Sequence, residues 1–358
     1  MSVHDRMLAV YRGEIPDAAP VGVYSRYLPR GLAEREIRDA GCGIIDYYPL
    51  SSLLSPPWHF LDGYVSEVKN CECIQEYLWD GGKPYFRRTF KTPVGEIYQE
   101  MQPDPAGAGS EHIRKHYIEK AEDYRVAEFI VKNTVIASNE RAVKRRMSDL
   151  GGDGVLFGRL DRCPYQKLLI ELCGPETFFI DLATNPEPVH ELMEAMEAKL
   201  DEAFEKVLDS AVEVFWQPDN ITSEMAPPNY FERYCLPFYE KRAKALDSLD
   251  KPYIIHMDGK LSALKNLISS SGFKVIESLT LPRMGGDMSY TEARDILGKT
   301  IIPNFPSNLC IEEDEVIERF VRELAEEAEG TPFMLQVSED IPPGEWRRVL
   351  PILCRSLA

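Results

Sequence analysis

Tyr253-Ile254-Ile255-His256-Met257-Asp258-Gly259 reads as a short buried strand that stops on a histidine, a carboxylate and a glycine. Three β-prone residues suit a buried pleated strand, and Gly259 lets the chain turn sharply where the strand ends. A helical pattern follows at once, with Leu261, Leu264, Leu267 and Ile268 on one face. Polar, metal-capable side chains at a strand-to-helix turn are what a parallel α/β barrel presents at its carboxyl-end mouth. On so short a motif the plainer reading, a histidine that caps a strand and bonds a nearby loop, stays open.

The pattern repeats outward from this point. Apolar strand-like runs at residues 21–24, 43–48, 155–157, 212–216, 274–279, 300–303 and 333–337 alternate with helical patterns at 188–208, 230–246, 291–297 and 312–329. Strand and helix recurring about every thirty residues is the mark of parallel βαβ units. The fold class predicted is α/β, a (β/α)8 TIM barrel, spanning residues 1–358 as one domain. Residues 51–102 interrupt it with alternating runs at 64–68, 74–79, 85–90 and 94–99, separated by turns such as Asp80-Gly81-Gly82. That stretch is predicted to be a β-meander excursion appended to the barrel. Residues 103–109 form a loop rich in proline and glycine. His112 and His116, four apart among basic residues, read as one solvated helix face.

Composition narrows the partners. The chain has 358 residues, 44% hydrophobic, enough to bury a large core, and a net charge of −18. So acidic a chain is a poor ligand for nucleic acid or an anionic membrane. No apolar run is long enough to span a bilayer. The start, Met1 to Arg6, lacks the apolar core of a signal peptide, so a cytoplasmic protein is expected. The eight cysteines form no CxxC pair and read as reduced thiols rather than a disulfide framework. Cys71 and Cys73, the close pair, make a poor zinc site alone.

The strand ends supply a constellation: Asp219, His256 with Asp258, Glu277, Asn304, and Ser338-Glu339-Asp340. In a barrel all of them converge on one mouth. Each carboxylate taken singly reads as a helix cap; the set reads as a site. A histidine among carboxylates suits a zinc shell, which in a catalytic site leaves one position open. Tyr24, Arg26, Tyr27, Tyr47 and Trp216 lie at strand ends where they can cradle a planar ligand, or serve as ordinary packing.

The chain resembles the uroporphyrinogen decarboxylase superfamily over nearly its whole length, and within it the corrinoid-dependent methyltransferase branch. The resemblance rests on the order of several segments. Arg6-Met7-Leu8-Ala9-Val10-Tyr11-Arg12-Gly13-Glu14 with Ala19-Pro20-Val21 stands at the front. Thr92-Pro93-Val94-Gly95, Gly174-Pro175-Glu176-Thr177-Phe178 and Asp219 through Phe231 to Pro237 follow. His256-x-x-Gly259, Gly286-Asp287-Met288-Ser289 and Asp340-Ile341-Pro342-Pro343 complete it. The decarboxylases' arginine–glutamine pair is replaced here by Val23-Tyr24-Ser25, and their Phe-Ser-Asp motif has no counterpart.

What the resemblance implies is a zinc enzyme whose ligands depart from the thiol-methylating pattern. His256 keeps its place, while Asp258 and Glu339 stand where relatives carry cysteines, and Asp258, Glu224 or Cys310 supplies a third ligand. Hard carboxylates leave zinc a stronger Lewis acid, suited to polarising an ether or alcohol oxygen. The expected activity is therefore of the O-demethylase type. A methyl group would move from a small methoxylated, aromatic ether substrate to the cobalamin cobalt of a corrinoid protein, with His256, Asp219 and Glu277 catalytic. A metal-free decarboxylase or lyase on the same barrel is the alternative, and a non-catalytic binding protein a third. A homodimer stays open.

Overall fold

A computed structural model of the chain describes residues 1–54, 65–103 and 111–357. Eight short strands make its central sheet: β1 (Val21–Tyr24), β2 (Gly43–Pro49), β3 (Gly154–Arg159), β4 (Val214–Gln217), β5 (Tyr253–His256), β6 (Val275–Leu279), β7 (Thr300–Pro303) and β8 (Leu335–Val337). They lie side by side in chain order, and β1 pairs in parallel with both β2 and β8. Helices Leu236–Asp247, Lys265–Ser270, Tyr290–Leu297 and Asp314–Glu327 carry the chain from β4 to β8. The seam between β7 and β8 is closed by a parallel bridge from Asn304 to Gln336. There the Phe305 amide donates to the Gln336 carbonyl at 2.6 Å. The molecule is the (β/α)8 barrel that the strand–helix spacing predicts.

Side chains alternate across a strand, so every second residue turns inward. Ile45, Val155, Phe157, Val214, Ile254, Val275, Ile302 and Met334 fall in one buried apolar cluster drawn from six of the strands and the residue before β8. The helix Val3–Tyr11 is opened by a capping box of Ser2 and Asp5. It adds Met7, Leu8, Val10 and Tyr11 to that cluster, with Tyr11 edge-on to Phe157 at 5.3 Å. Two residues further along, the inward positions become Tyr47, Trp216, His256, Glu277, Asn304 and Gln336. An apolar floor thus lies beneath a layer of aromatic and hydrogen-bonding groups nearer the carboxyl ends of the strands.

The chain divides into two compact units. The first, Met1–Tyr47, Val143–Gly158 and Val212–Ala358, takes in nearly all of the barrel strands. The second, Tyr48–Ala142 and Arg159–Ala211, contains a four-stranded antiparallel sheet of Glu72–Asp80, Lys83–Thr92, Gly95–Pro103 and Glu111–Lys115. It also holds the helices Ala121–Asn133 and Pro186–Val207.

The meander differs in extent from the stretch 51–102. Its sheet begins at Glu72 and runs on to Lys115, while Val65–Val68 pairs instead with Thr134–Ile136. Residue 64 and the loop residues 104–109 lie outside the described residues. His112 and His116 do not share a helix. Glu111–Lys115 is a strand in register with Gly95–Pro103, Met101 opposite Ile113, so cross-strand pairing overrides the helical spacing. His116 follows that strand, half-buried, with Nδ1 3.2 Å from the Glu171 carbonyl.

Candidate active site

Glu277 is fully buried on β6, and four side chains from four other strands or strand ends converge on its carboxylate. Tyr24 donates its hydroxyl to Oε1 at 2.6 Å, and the Gln336 amide also donates to Oε1. Trp216 donates its indole N–H to Oε2 at 3.0 Å, and His256 Nδ1 lies 2.6 Å from the same oxygen. A carboxylate taken out of water is costly unless its lone pairs are satisfied, and here donors surround it. Beyond Glu277 the strand bulges at Ser278, whose φ of +68° is unusual for a residue other than glycine. The Ser278 hydroxyl lies 2.6 Å from that of Ser338, which fixes the bulge against the end of β8.

His256 stands between two carboxylates held unequally. Glu277 takes Nδ1 at 2.6 Å, whereas Asp258 lies 3.4 Å from Nε2. Burial works against the charged ring, but the attraction of Glu277 and then Asp258 outweighs it, and the pKa is pushed up to about 10. Asp258 is itself held below the usual carboxylate range: burial opposes this, and His256 and a 2.7 Å hydrogen bond from the Asn220 amide overcome it. Asn220 sits at φ +50°, a conformation that asparagine tolerates better than most residues. Gly259 sits at φ +127°, and a Cβ there would press on Thr222, so the turn after Asp258 needs glycine. The Asp258 side chain keeps about a third of its surface exposed, against under a tenth for His256.

Aromatic rings surround this pair. Trp216 meets His256 edge-on at 5.8 Å, Tyr24 meets Trp216 at 5.7 Å and Tyr47 packs on Trp216 at 5.8 Å. Tyr27 stacks on Tyr24, with the Arg26 guanidinium 5.1 Å from the Tyr27 ring centroid. Glu339 comes within electrostatic reach of both Asp258 and His256. Its carboxyl is pushed up by burial, with repulsion from Asp258 adding to the rise and a hydrogen bond from Ser307 opposing it.

The structure therefore brings together Tyr24, Tyr27, Tyr47, Trp216, His256, Asp258, Glu277 and Glu339. Asp219 is set apart. It lies two residues past the end of β4, in a turn closed by its amide on the Gln217 carbonyl, where it is fully buried and its carboxylate accepts from the Gln217 side-chain amide at 3.0 Å and the Tyr239 hydroxyl at 2.5 Å. The Tyr239 bond ties this carboxylate to the helix Leu236–Asp247. Glu277, buried and accepting at both oxygens, holds the His256 ring at Nδ1. Glu224 is exposed and paired with Lys260 at 2.6 Å, and the Cys310 thiol is buried, its pKa pushed up to about 11. Sequence reading missed Gln336 and Asn220. Gln336 was legible from its place two residues beyond Met334; Asn220 carried no signal until its partner Asp258 was in place.

These residues do not fit a zinc shell as they stand. Among the described residues no three His, Cys, Asp or Glu side chains group in a way that could hold a metal. His256, the firmest ligand by position, has a carboxylate beside each ring nitrogen, Glu277 2.6 Å from Nδ1 and Asp258 3.4 Å from Nε2, so a metal would have to displace a proton from an ion-paired ring.

The sequence profile of the family described as Uroporphyrinogen decarboxylase (URO-D) matches residues 166–346, just over half of the chain. No curated protein matches the sequence. Among solved structures, a methyltransferase from Methanosarcina mazei superposes with a TM-score of 0.59 at 13% identity. The alignment covers 99% of this chain and 98% of that one, a likeness of fold.

Proposed function

The chain belongs to the uroporphyrinogen decarboxylase (URO-D) family, and from that premise we propose that it is a methyltransferase. In this reading it moves a methyl group from a small methoxylated compound to the cobalt of a corrinoid protein. The observation that carries it is the asymmetric hold on His256, tight at Nδ1 and loose at Nε2. The corrinoid supplies the nucleophile that takes the methyl carbon. What this chain must supply is help for the oxygen that leaves, because an alkoxide or phenoxide departs badly without something to take up its charge.

His256 is suited to that task. Glu277 orients the ring and keeps it charged, while the long Nε2–Asp258 contact leaves that N–H free to swing to a substrate oxygen at the exposed side of Asp258. As the methyl–oxygen bond breaks, the electron pair stays on oxygen and the Nε2 proton passes to it. Neutral His256 is then reprotonated from solvent along Asp258. Tyr27, Tyr47 and Trp216 offer flat apolar surface against which an aromatic ring would pack.

A decarboxylase on the same barrel is the second reading, favoured by the same charged histidine, which could protonate the carbanion left by loss of carbon dioxide. The acidic groups around the ring, Asp258 and Glu339, and a chain charge of −18 weigh against a substrate rich in carboxylates. The test is an anaerobic assay with cob(I)alamin and a panel of methoxylated aromatic compounds, followed by the spectrum of methylcobalamin. Methylation by at least one donor is expected, falling by a factor of about 10²–10⁴ in His256→Gln. Release of carbon dioxide from a carboxylated compound, with no methylcobalamin from any donor, would overturn the reading.

A further inference from the structure

We propose that Cys42 and Cys354 are a modification site: a peroxide oxidises this pair to a disulfide that ties the last helix of the chain to the start of β2. The two residues are 312 apart in sequence, yet their sulfurs lie 3.0 Å apart in the fold. Cys42 is buried in the residue before Gly43, where β2 begins. Cys354 is half-buried in the helix Trp346–Ser356 and lines a surface cavity of about 220 Å³ with Arg6, Ala40 and Gly41. Of the pair, Cys354 is thus the one that lines the cavity, and Cys42 is the buried one.

That order sets the chemistry. The Cys42 thiol is pushed well up by its hydrogen bond with Cys354 and by burial, so Cys354 reacts first. Its thiolate attacks one peroxide oxygen and the O–O bond breaks. The departing oxygen leaves as water or an alcohol, and Cys354 becomes a sulfenic acid. The Cys42 sulfur then attacks the sulfenic sulfur. The S–S bond forms, the S–O bond breaks, and water leaves with the Cys42 proton. Two thiols lose two electrons and two protons, and the peroxide accepts both. Only a further ~1 Å of approach separates the sulfurs from a disulfide bond.

The consequence follows from where the two residues sit. Cys42 is at the amino-terminal end of its strand, the end opposite His256 at the carboxyl end of β5. A cross-link there closes a very long loop and constrains the unfolded chain strongly without touching the candidate active site.

The experiment treats the full-length protein with increasing hydrogen peroxide, blocks remaining thiols by alkylation, and maps peptides by mass spectrometry without reduction. The expected result is one linked peptide pair containing Cys42 and Cys354, lighter by two hydrogens, released by dithiothreitol. The oxidised protein should melt higher by roughly 5 °C, a shift absent from Cys354→Ser. Linkage of Cys71 to Cys73 with Cys42 and Cys354 still free would overturn the proposal. So would oxidation of Cys354 to sulfinic acid with no linked peptide, which is read on the wild-type protein whether or not the variant folds.

Discussion

His256 keeps its proton because one carboxylate grips it and another stands close, and this has measurable consequences at the scale of a single ring. An ordinary histidine titrates near about 6.5, whereas this one is pushed up to about 10. Because the folded-state value is raised, the ion pair's stabilisation is fully present below pH about 6.5 and is lost as pH rises through about 10. Urea unfolding across that range should show stability falling by a few kcal/mol in order of magnitude. His256→Gln should flatten the decline; an equal slope in the variant would assign the loss to other groups. In Glu277→Gln the ring loses its stronger partner. Its resonance in a histidine NMR titration should move back towards the ordinary range, and a ring still charged at pH 9 would show that Asp258 alone suffices. The same charge argues that dialysis against a chelator leaves both the melting temperature and the proposed methyl transfer unchanged. One tightly held zinc per chain in the purified protein would refute that. His256 and Asp258 were legible as a pair because they share a strand end. That Glu277, twenty-one residues away, would take the other ring nitrogen was not.

At the scale of elements, the barrel strands were readable because each couples a short β-prone run to a following helix. The helical spacing of His112 and His116 misled because a strand partner at Met101 decided that segment. After β3 the chain passes into a π-helical stretch at Lys167–Leu172 that no spacing in the sequence marks. There a buried Lys167 pairs with Asp161 at 2.9 Å and Glu171 at 2.7 Å. Glycine marks the tightest strand approach. At the start of β3, a Cβ on Gly154 would collide with the backbone carbonyl of Ile44 on β2. Gly154→Ala must therefore push two neighbouring strands apart, and since backbone has to yield, the cost should reach about 3 kcal/mol, the upper end of ordinary overpacking. Gly152→Ala, two residues earlier, where a Cβ would meet only the Ser2 Cβ at an ordinary 4.0 Å, is the control and should stay within about 0.5 kcal/mol. Urea midpoints measure both; equal midpoints for the two variants would deny the close approach any role.

For the whole molecule, the composition spoke to a large core and an acidic surface, and no described helix is long and apolar enough to cross a membrane. It did not speak to how the barrel closes. Ladders of three or four paired residues join β4 to β5, β5 to β6 and β6 to β7, whereas β7 meets β8 through the Asn304–Gln336 bridge. Asn304 reinforces that seam with its side chain: Oδ1 accepts from the Ser338 amide at 2.9 Å and the Ser338 hydroxyl at 2.7 Å. A closed barrel opens more readily where a single bridge joins two strands than across a ladder, so the seam should open at lower energy than the β4–β7 side. Asn304→Ala leaves the buried Ser338 amide without its partner, a loss of about 1–3 kcal/mol. Native-state hydrogen exchange locates where that loss is felt. The amides of Leu335–Val337 and Phe305 should exchange faster in the variant by roughly tenfold or more, as expected for ~1.4 kcal/mol per factor of ten. Those of Phe215 and Gln217 on β4, three strands away from β7, should follow only the global unfolding free energy. If every strand accelerates equally, Asn304 supports the barrel as a whole and the seam has no separate opening.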